Sequence, residues 1–247
     1  MADLPVIESY NIGSTNDSPG TTYVLEPSGI SSGDLLVICY AVESANTNSN
    51  PTISGWTLIN ASDNSQDVQC AIYWKIATGG ESWPLAITPT SGEDYGVAVI
   101  FRISGHDPST PIHKTGSWDG LGTTDSELSV TEVTTTVDNC LGIAMCGYDG
   151  NDVCPASVSG TGWSLFESVE QPSDPSGFGV GIDVATKSIT SAGGSVDCLF
   201  TMTGTDGRLG IQIAIAPSGG VPTGMIIGGV SAAKVGSITY SAVGGIT

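Results

Sequence analysis

Residues that could do chemistry are scattered along this chain. Both histidines, His106 and His113, fall in Ser104–Thr124, which we expect to bridge two units of the chain. His106 precedes Asp107, but side chains adjacent in sequence need not face each other, and no GxSxG elbow offers a nucleophile. Glu93, Asp94, Asp119 and Asp183 are candidate carboxylates. Glycoside hydrolysis needs two acids facing across roughly 5–10 Å, and the sequence pairs none of them. Asp149, Asn151 and Asp152 gather oxygen ligands around Gly150, which makes a candidate Ca²⁺ loop. It lacks the DxDxDG order and the distal Glu of an EF-hand, and such residues favour a β-turn for backbone reasons. Trp83, Trp118, Tyr148 and Tyr73 are candidates for stacking a sugar ring. Loops 44–51, 60–67 and 149–159 would add polar partners. No catalytic or cofactor-binding set forms from these residues, so we expect a protein without enzymatic activity.

Charge excludes more than motifs do. The 247 residues carry 25 acids against six basic residues, a formal charge of −19. No basic patch can form, so nucleic-acid phosphates are excluded as partners, and an anionic membrane surface is disfavoured. No run of about 18 apolar residues offers a membrane span. The opening MADLPVIESY has neither the basic region nor the apolar run of a secretory signal. The six cysteines show no CxxC pair and no zinc spacing. Cys70 continues the apolar row of Ile72, Trp74 and Ile76, which suits a buried free thiol. Cys146 and Cys154 flank a loop and are open to pairing.

The elements that must position these residues repeat. Leu35–Val42, Gly55–Trp56, Gln69–Thr78 and Tyr95–Gly105 recur in order as Cys140–Gly147, Gly162–Trp163, Phe178–Ala185 and Leu209–Ala216. The two Gly-Trp pairs stand 107 residues apart, and the final strands align without gaps at an offset of 114. Four matched segments in one order indicate a duplicated unit, about 21–105 and 125–219. Trp56 and Trp163 recur at matched places, which core packing explains. Strands are also expected at Val6–Ile12 (an edge), Thr21–Glu26, Trp83–Thr88, Glu127–Thr134, Trp163–Val169 and Val196–Thr203, with no helical period anywhere.

About six short strands make a thin core alone. We therefore expect an all-β fold, one pseudo-symmetric jelly-roll-like sandwich of two similar halves over residues 21–219. Residues 1–20 read as an arm. Residues 220–247 form an apolar C-terminal segment with one charge, Lys234. Its strands, Met225–Val230 and Ser237–Val243, would make a hairpin that must dock to be stable. Met225, Ile226, Ile227, Val230, Val235, Ile238, Tyr240 and Val243 are the candidate assembly residues.

The phrases GDLLVICYAVES, SGWTLI, AIYWKIATGGES and VAVIFRISGHDPSTPI, with the later TVDNCLGIAM, GWSL and LGIQIAIAPSG, resemble a β-sandwich module. That module is found in phage tail-fibre and other virion-surface proteins. The segment MIIGGVSAAKVGSITYSAVGGIT loosely resembles short repeats at the ends of phage tail proteins, which are usually more basic. The resemblance implies a structural subunit at the virion surface, assembled in the host cytoplasm. It would be a tail or head fibre, or a capsid decoration. It implies other virion proteins as partners and a homo-oligomer, with a trimer favoured. The alternative is a carbohydrate- or receptor-binding module that recognises a host surface glycan. No cofactor is expected beyond the Ca²⁺ candidate.

Overall fold

The structure is a computed structural model that describes residues 3–15, 20–43, 51–63, 68–89, 95–120, 126–149, 157–171, 179–202 and 207–219, with 226–227 and 230–231. Among these residues there is no helix, hence none able to cross a membrane. The first half contributes β1 (Val6–Ser14), β2 (Thr22–Val24), β3 (Leu35–Glu43), β4 (Thr57–Asp63), β5 (Val68–Ile76), β6 (Leu85–Ile87) and β7 (Gly96–Ser104). The second contributes β8 (Ile112–Thr115), β9 (Glu127–Val130), β10 (Thr134–Thr135), β11 (Cys140–Asp149), β12 (Ser157–Ser159), β13 (Ser164–Gln171), β14 (Val180–Ile189), β15 (Gly193–Gly194), β16 (Cys198–Thr201) and β17 (Arg208–Ile215).

Every pairing is antiparallel. The first half forms one curled sheet in the order β4-β5-β3-β7-β1-β2-β6. The second forms β13-β14-β11-β17-β8, with a separate sheet β12-β16-β9 and a small β10-β15 pair. The orders β4-β5-β3-β7-β1 and β13-β14-β11-β17-β8 are the same sheet built twice. The sandwich expected from the repeat is the architecture found.

The two large sheets face each other and share one core. β13 and β14 lie against β7, β14 also against β3, β11 against β3 and β5, and β17 against β5. Leu35, Val37, Cys39, Phe101 and Ile103 from the first half meet Leu141, Ile143, Met145, Ile182, Ile211 and Ile213 from the second. The contact between sheets is close enough that a Cβ at Gly147 would fall on the Cys70 sulfur, so glycine is needed there.

Each sheet is also covered on its outer face. Val24, Ile38, Tyr40, Ile53, Tyr73 and Ile87 form one outer cluster. Leu128, Val130, Ala144, Tyr148, Cys198 and Phe200 form the other. This is why β3 and β11 read as unbroken apolar runs: Leu35–Val42 is buried throughout, and so is Cys140–Tyr148.

The structure corrects three expectations. Val6–Ile12 is no edge strand on an arm. As part of β1 it pairs with β7 along its length, with a shift between Ile7 and Ser9, and then pairs with β2. Its counterpart is β8, which pairs with β17 in the same place. The stretch 104–124 is therefore no mere bridge, because β8 completes the second half's sheet. The expected strand Met225–Val230 contains a reversal: β18 (Ile226–Ile227) pairs with β19 (Val230–Ser231).

Candidate functional site

The residues that recur with chemical potential are the tryptophans and two lysines. Gly55 and Gly162 adopt φ of 79° and 82°, which glycine reaches without strain. The turns they make are alike: Trp56 N–H donates to Ile53 O and Trp163 N–H to Gly160 O, both at 3.1 Å. Lys75 Nζ then stands 5.7 Å from the Trp56 ring centre, and Lys187 Nζ 5.9 Å from that of Trp163. Each lysine sits over its indole in cation–π geometry. Lys75 also pairs with Glu81 at 3.1 Å. The Lys187 amine instead donates to the Ser195 carbonyl. Burial lowers the Lys187 pKa, against the opposing influence of Cys198 and Glu132.

Ser195 beside a lysine invites a nucleophile reading, and the geometry rejects it. The hydroxyl donates to Gln212 Oε1 at 2.6 Å and accepts from Val133 N–H at 2.9 Å. The residue is fully buried. Gln212 Nε2 donates in turn to Val130 O at 2.8 Å and Val196 O at 3.2 Å. Trp163 Nε1 reaches the same Val196 carbonyl at 3.2 Å. The network pins a segment in which Val196 holds φ of 63°, a conformation that a β-branched residue rarely adopts.

The sugar-stacking candidates are corrected. Tyr148 is buried in the second half's outer cluster, with its ring against Gly181. Trp83 packs on the first outer cluster and Trp118 on the shared core, each with its indole nitrogen buried. Tyr73 is buried and donates to Pro51 O at 2.6 Å. Tyr73 and Tyr148 therefore offer no platform, and Trp83 and Trp118 are half-buried against the core rather than standing free. Pattern alone misplaced them because short strands and loops fold back over the sheets.

The acids and histidines have structural partners. Asp119 accepts from Thr131 N–H at 2.6 Å and from its hydroxyl at 3.1 Å. Asp183 is fully buried on β14. Glu93 and Asp94 lie outside the described residues. His113 Nε2 accepts from Thr136 N–H at 3.0 Å. His106 is buried where the segments that follow β7 and β17 meet, its backbone bridging to Pro217.

Of the calcium candidates, Asp149 ends β11, while Asn151 and Asp152 lie outside the described residues. No group of three or more His, Cys, Asp or Glu gathers among the described residues. Cys39, Cys70, Cys140 and Cys198 are free and buried. Cys146 is buried on β11, and Cys154 lies outside the described residues. Burial pushes the Cys39 and Cys198 thiols up to about 12 and Cys140 to about 11, and it raises Cys70 in the same way. Such thiols stay protonated and unreactive. Of the assembly residues, Ile226, Ile227 and Val230 lie in the short hairpin. Met225, Val235, Ile238, Tyr240 and Val243 are outside the described residues.

What sequence reading missed is an exposed apolar strip on β1 and β2. Tyr10, Ile12, Tyr23 and Leu25 are 44%, 44%, 47% and 56% exposed. Ser14 pairs with Tyr23 and Gly13 with Val24, and the Asn11 amide donates to Glu26 O at 3.0 Å, so residues 23–26 lie alongside β1. Alternation then places these four side chains on one face. Tyr10 packs edge-on against Phe166 at 5.1 Å, where β13 ends the overlap of the sheets. The Glu167 carboxylate beside it raises the Tyr10 pKa through a hydrogen bond and its charge. The missed signal lay in comparing the two repeats, because the second carries polar residues in place of Ile12, Tyr23 and Leu25, while Tyr10 matches the apolar Ile112.

No family model matches the chain, and searches of curated proteins and of solved structures return no match either. Nothing in those comparisons links it to the tail-fibre modules that its phrases resemble.

Proposed function

We propose that this chain is a non-enzymatic structural subunit of a phage particle. It would be a surface appendage, a tail or head fibre or a capsid decoration, held through its terminal segments. The phage assignment comes from the sequence phrases quoted above. The observation that carries the structural role is how the repeated residues are used. Every feature present in both halves builds framework: the buried β3 and β11, the Lys-over-Trp pairs, and the matched order of the sheets. The described residues assemble no nucleophile with a base and no metal cluster. The strong negative charge suits a subunit displayed densely at a surface, where repulsion opposes clumping.

Purified particles test this directly. The chain is expected in their protein inventory, and antibodies against it should label their surface. Full-length protein should bind particles that lack it, while a version ending at Gly219 should not. Absence from the particle, or equal binding by the shortened chain, would sink the reading. The carbohydrate-binding alternative draws no support from Trp83, Trp118 and Tyr148, whose rings pack on the core.

A further inference from the structure

The strip on β1 and β2 has an internal control. The repeat equates Tyr23 with Ser129 and Leu25 with Thr131, flanking Val24 and Val130, both fully buried. The pairing of Ile12 with Val99 and of Thr115 with Ile213, its equivalent on β17, matches Ile12 with Thr115. Three exposed apolar residues in one half are thus polar in the other. The fold accepts Thr, Ser and Thr at these places, so folding does not require Ile, Tyr and Leu. Exposed apolar side chains gathered on one sheet face mark an interaction surface.

One other part of the chain lacks a counterpart in the repeat: segment 220–247. It is apolar, carries Lys234, and has no acid, so all 25 acidic residues precede it. The Glu167 carboxylate stands beside Tyr10 at the strip, opposite in charge to Lys234. The segment leaves the sandwich beside the start of β1: Ser218 N–H donates to Gly105 O, and Gly105 abuts Leu4 and Pro5. Its 28 residues can span up to about 90 Å when extended. In the single chain the strip stands exposed, while Ile226–Ile227 pairs with Val230–Ser231.

We propose that the β1–β2 strip receives segment 220–247 of a neighbouring copy. The contact is heterologous, since it joins different surfaces of the two copies. Such contacts propagate into rings or filaments instead of stopping at a dimer. The proposal names the surface that answers the attachment segment in the reading above, and it does not depend on which particle carries the chain.

Sedimentation velocity on the full chain tests it. The parent should associate beyond dimer as concentration rises. Ile12→Thr/Tyr23→Ser/Leu25→Thr copies the second half, so it should keep the parent's thermal unfolding while associating on the order of a hundredfold more weakly. Ile226→Asp/Val230→Asp in the segment should also stay monomeric. Mixing the two variants should restore one contact and give 1:1 dimers. Leu25→Thr alone, weaker by about tenfold, serves if the triple variant misfolds. A parent that stays monomeric, a strip variant that assembles normally, or a segment variant that dimerises through its own strip would each overturn the proposal. A full-length chain that self-associates as expected but is absent from particles and does not bind them would sink the virion reading and leave this one standing.

Discussion

Val99 and Ile213 hold equivalent places in the two halves, as do Phe101 and Ile215, and all four are fully buried in the core the halves share. Ala98 and Gln212 are also equivalent, yet one sits in an apolar cluster and the other anchors a polar network. Tyr23 and Leu25 stand exposed where the second half has Ser129 and Thr131. The halves thus agree where the two sheets cover each other and differ where they do not. The physical reason is that each sheet's inner face must fit the other sheet, so a change on one side strains both. Outer faces answer only to their own covering strands, and exposed faces to nothing in the chain. Divergence there is free to serve packing style in one case and partners in the other.

The shared core is where the comparison breaks hardest. Phe101 is fully buried among residues of both halves, and Phe101→Ala should cost about 3–5 kcal/mol. Ile213→Ala, from the other side, should cost about 2–5 kcal/mol. Calorimetry should show one transition lowered by either change. Two transitions, each moved by one variant alone, would mean that the halves fold separately and that the common core is incidental. Next comes the outer layer. Gln212→Ala gives the second half the first half's residue at this position, but strips Ser195 Oγ of its acceptor and Val130 O of the amide donor, while Val196 O keeps only Trp163 Nε1 from the network. We expect a loss of about 2–3 kcal/mol in denaturant unfolding, from polar groups left buried and unpaired. A loss below about 0.5 kcal/mol would mean that the network is dispensable and the two outer layers are interchangeable.

The inner plan was legible because it was written twice. Leu35–Val42 and Cys140–Gly147 announce covered strands through continuous apolar character, and the Gly-Trp pairs fix the offset between halves. β1 was misread because its run of Val6, Tyr10 and Ile12 leaves side chains in solvent, so its interior place in the sheet gives no strong apolar signal. β8 was missed because only Ile112–Thr115 is regular, although Gly116 and Asp119 continue to bond along β17. Tyr148 was misplaced because a tyrosine near a polar loop looks free, whereas Gly181 on the neighbouring strand leaves room for its ring. The exposed strip was readable in principle, since the alignment sets Tyr23 beside Ser129. Composition cannot separate an exposed Tyr from a buried one. The difference shows only once the strand's faces are known.

The Lys-over-Trp pairs sharpen the comparison at smaller scale. Both lysines lie above equivalent indoles at nearly the same distance, but their second partners differ. Lys75 meets the Glu81 carboxylate, and Lys187 a backbone carbonyl next to the Gln212 network. Lys187→Met should therefore cost about 1 kcal/mol, and Lys75→Met about half as much. Salt should reduce the Lys75 contribution more, since its ion pair is screened. Equal costs with equal salt dependence would show that the indole contact alone sets both, and that the divergent surroundings contribute nothing.

The smallest effect concerns the joint between the halves, where the duplication is again unequal. His106 follows β7 and bridges to Pro217 after β17, and the matched place in the second half is Gly220. Burial lowers the His106 pKa from its ordinary 6.5, opposed by the Ile103 backbone and by Asp34 and Asp107. Arg102 bonds Asp34 at 2.7 Å, which tempers that carboxylate's pull. Because the folded state holds the ring neutral, the unfolded chain takes up the proton first as pH falls. Stability should be intact above about pH 6.5 and decline as pH drops through that value towards the folded one. His113 is lowered in the same sense by burial and Lys114, so single variants must separate the two. Glu81 acts in a lower window. Burial raises its pKa, but the Thr78 bonds and Lys75 outweigh it and hold the group at about 2, so its contribution fades only below about pH 4.5. His106→Gln should thus flatten the change in denaturant midpoint between pH 7.5 and 5.5 and leave the slope near pH 3 alone. An unchanged slope between pH 7.5 and 5.5 would mean that the joint tolerates a charged ring, and that this asymmetry between the halves has no energetic weight.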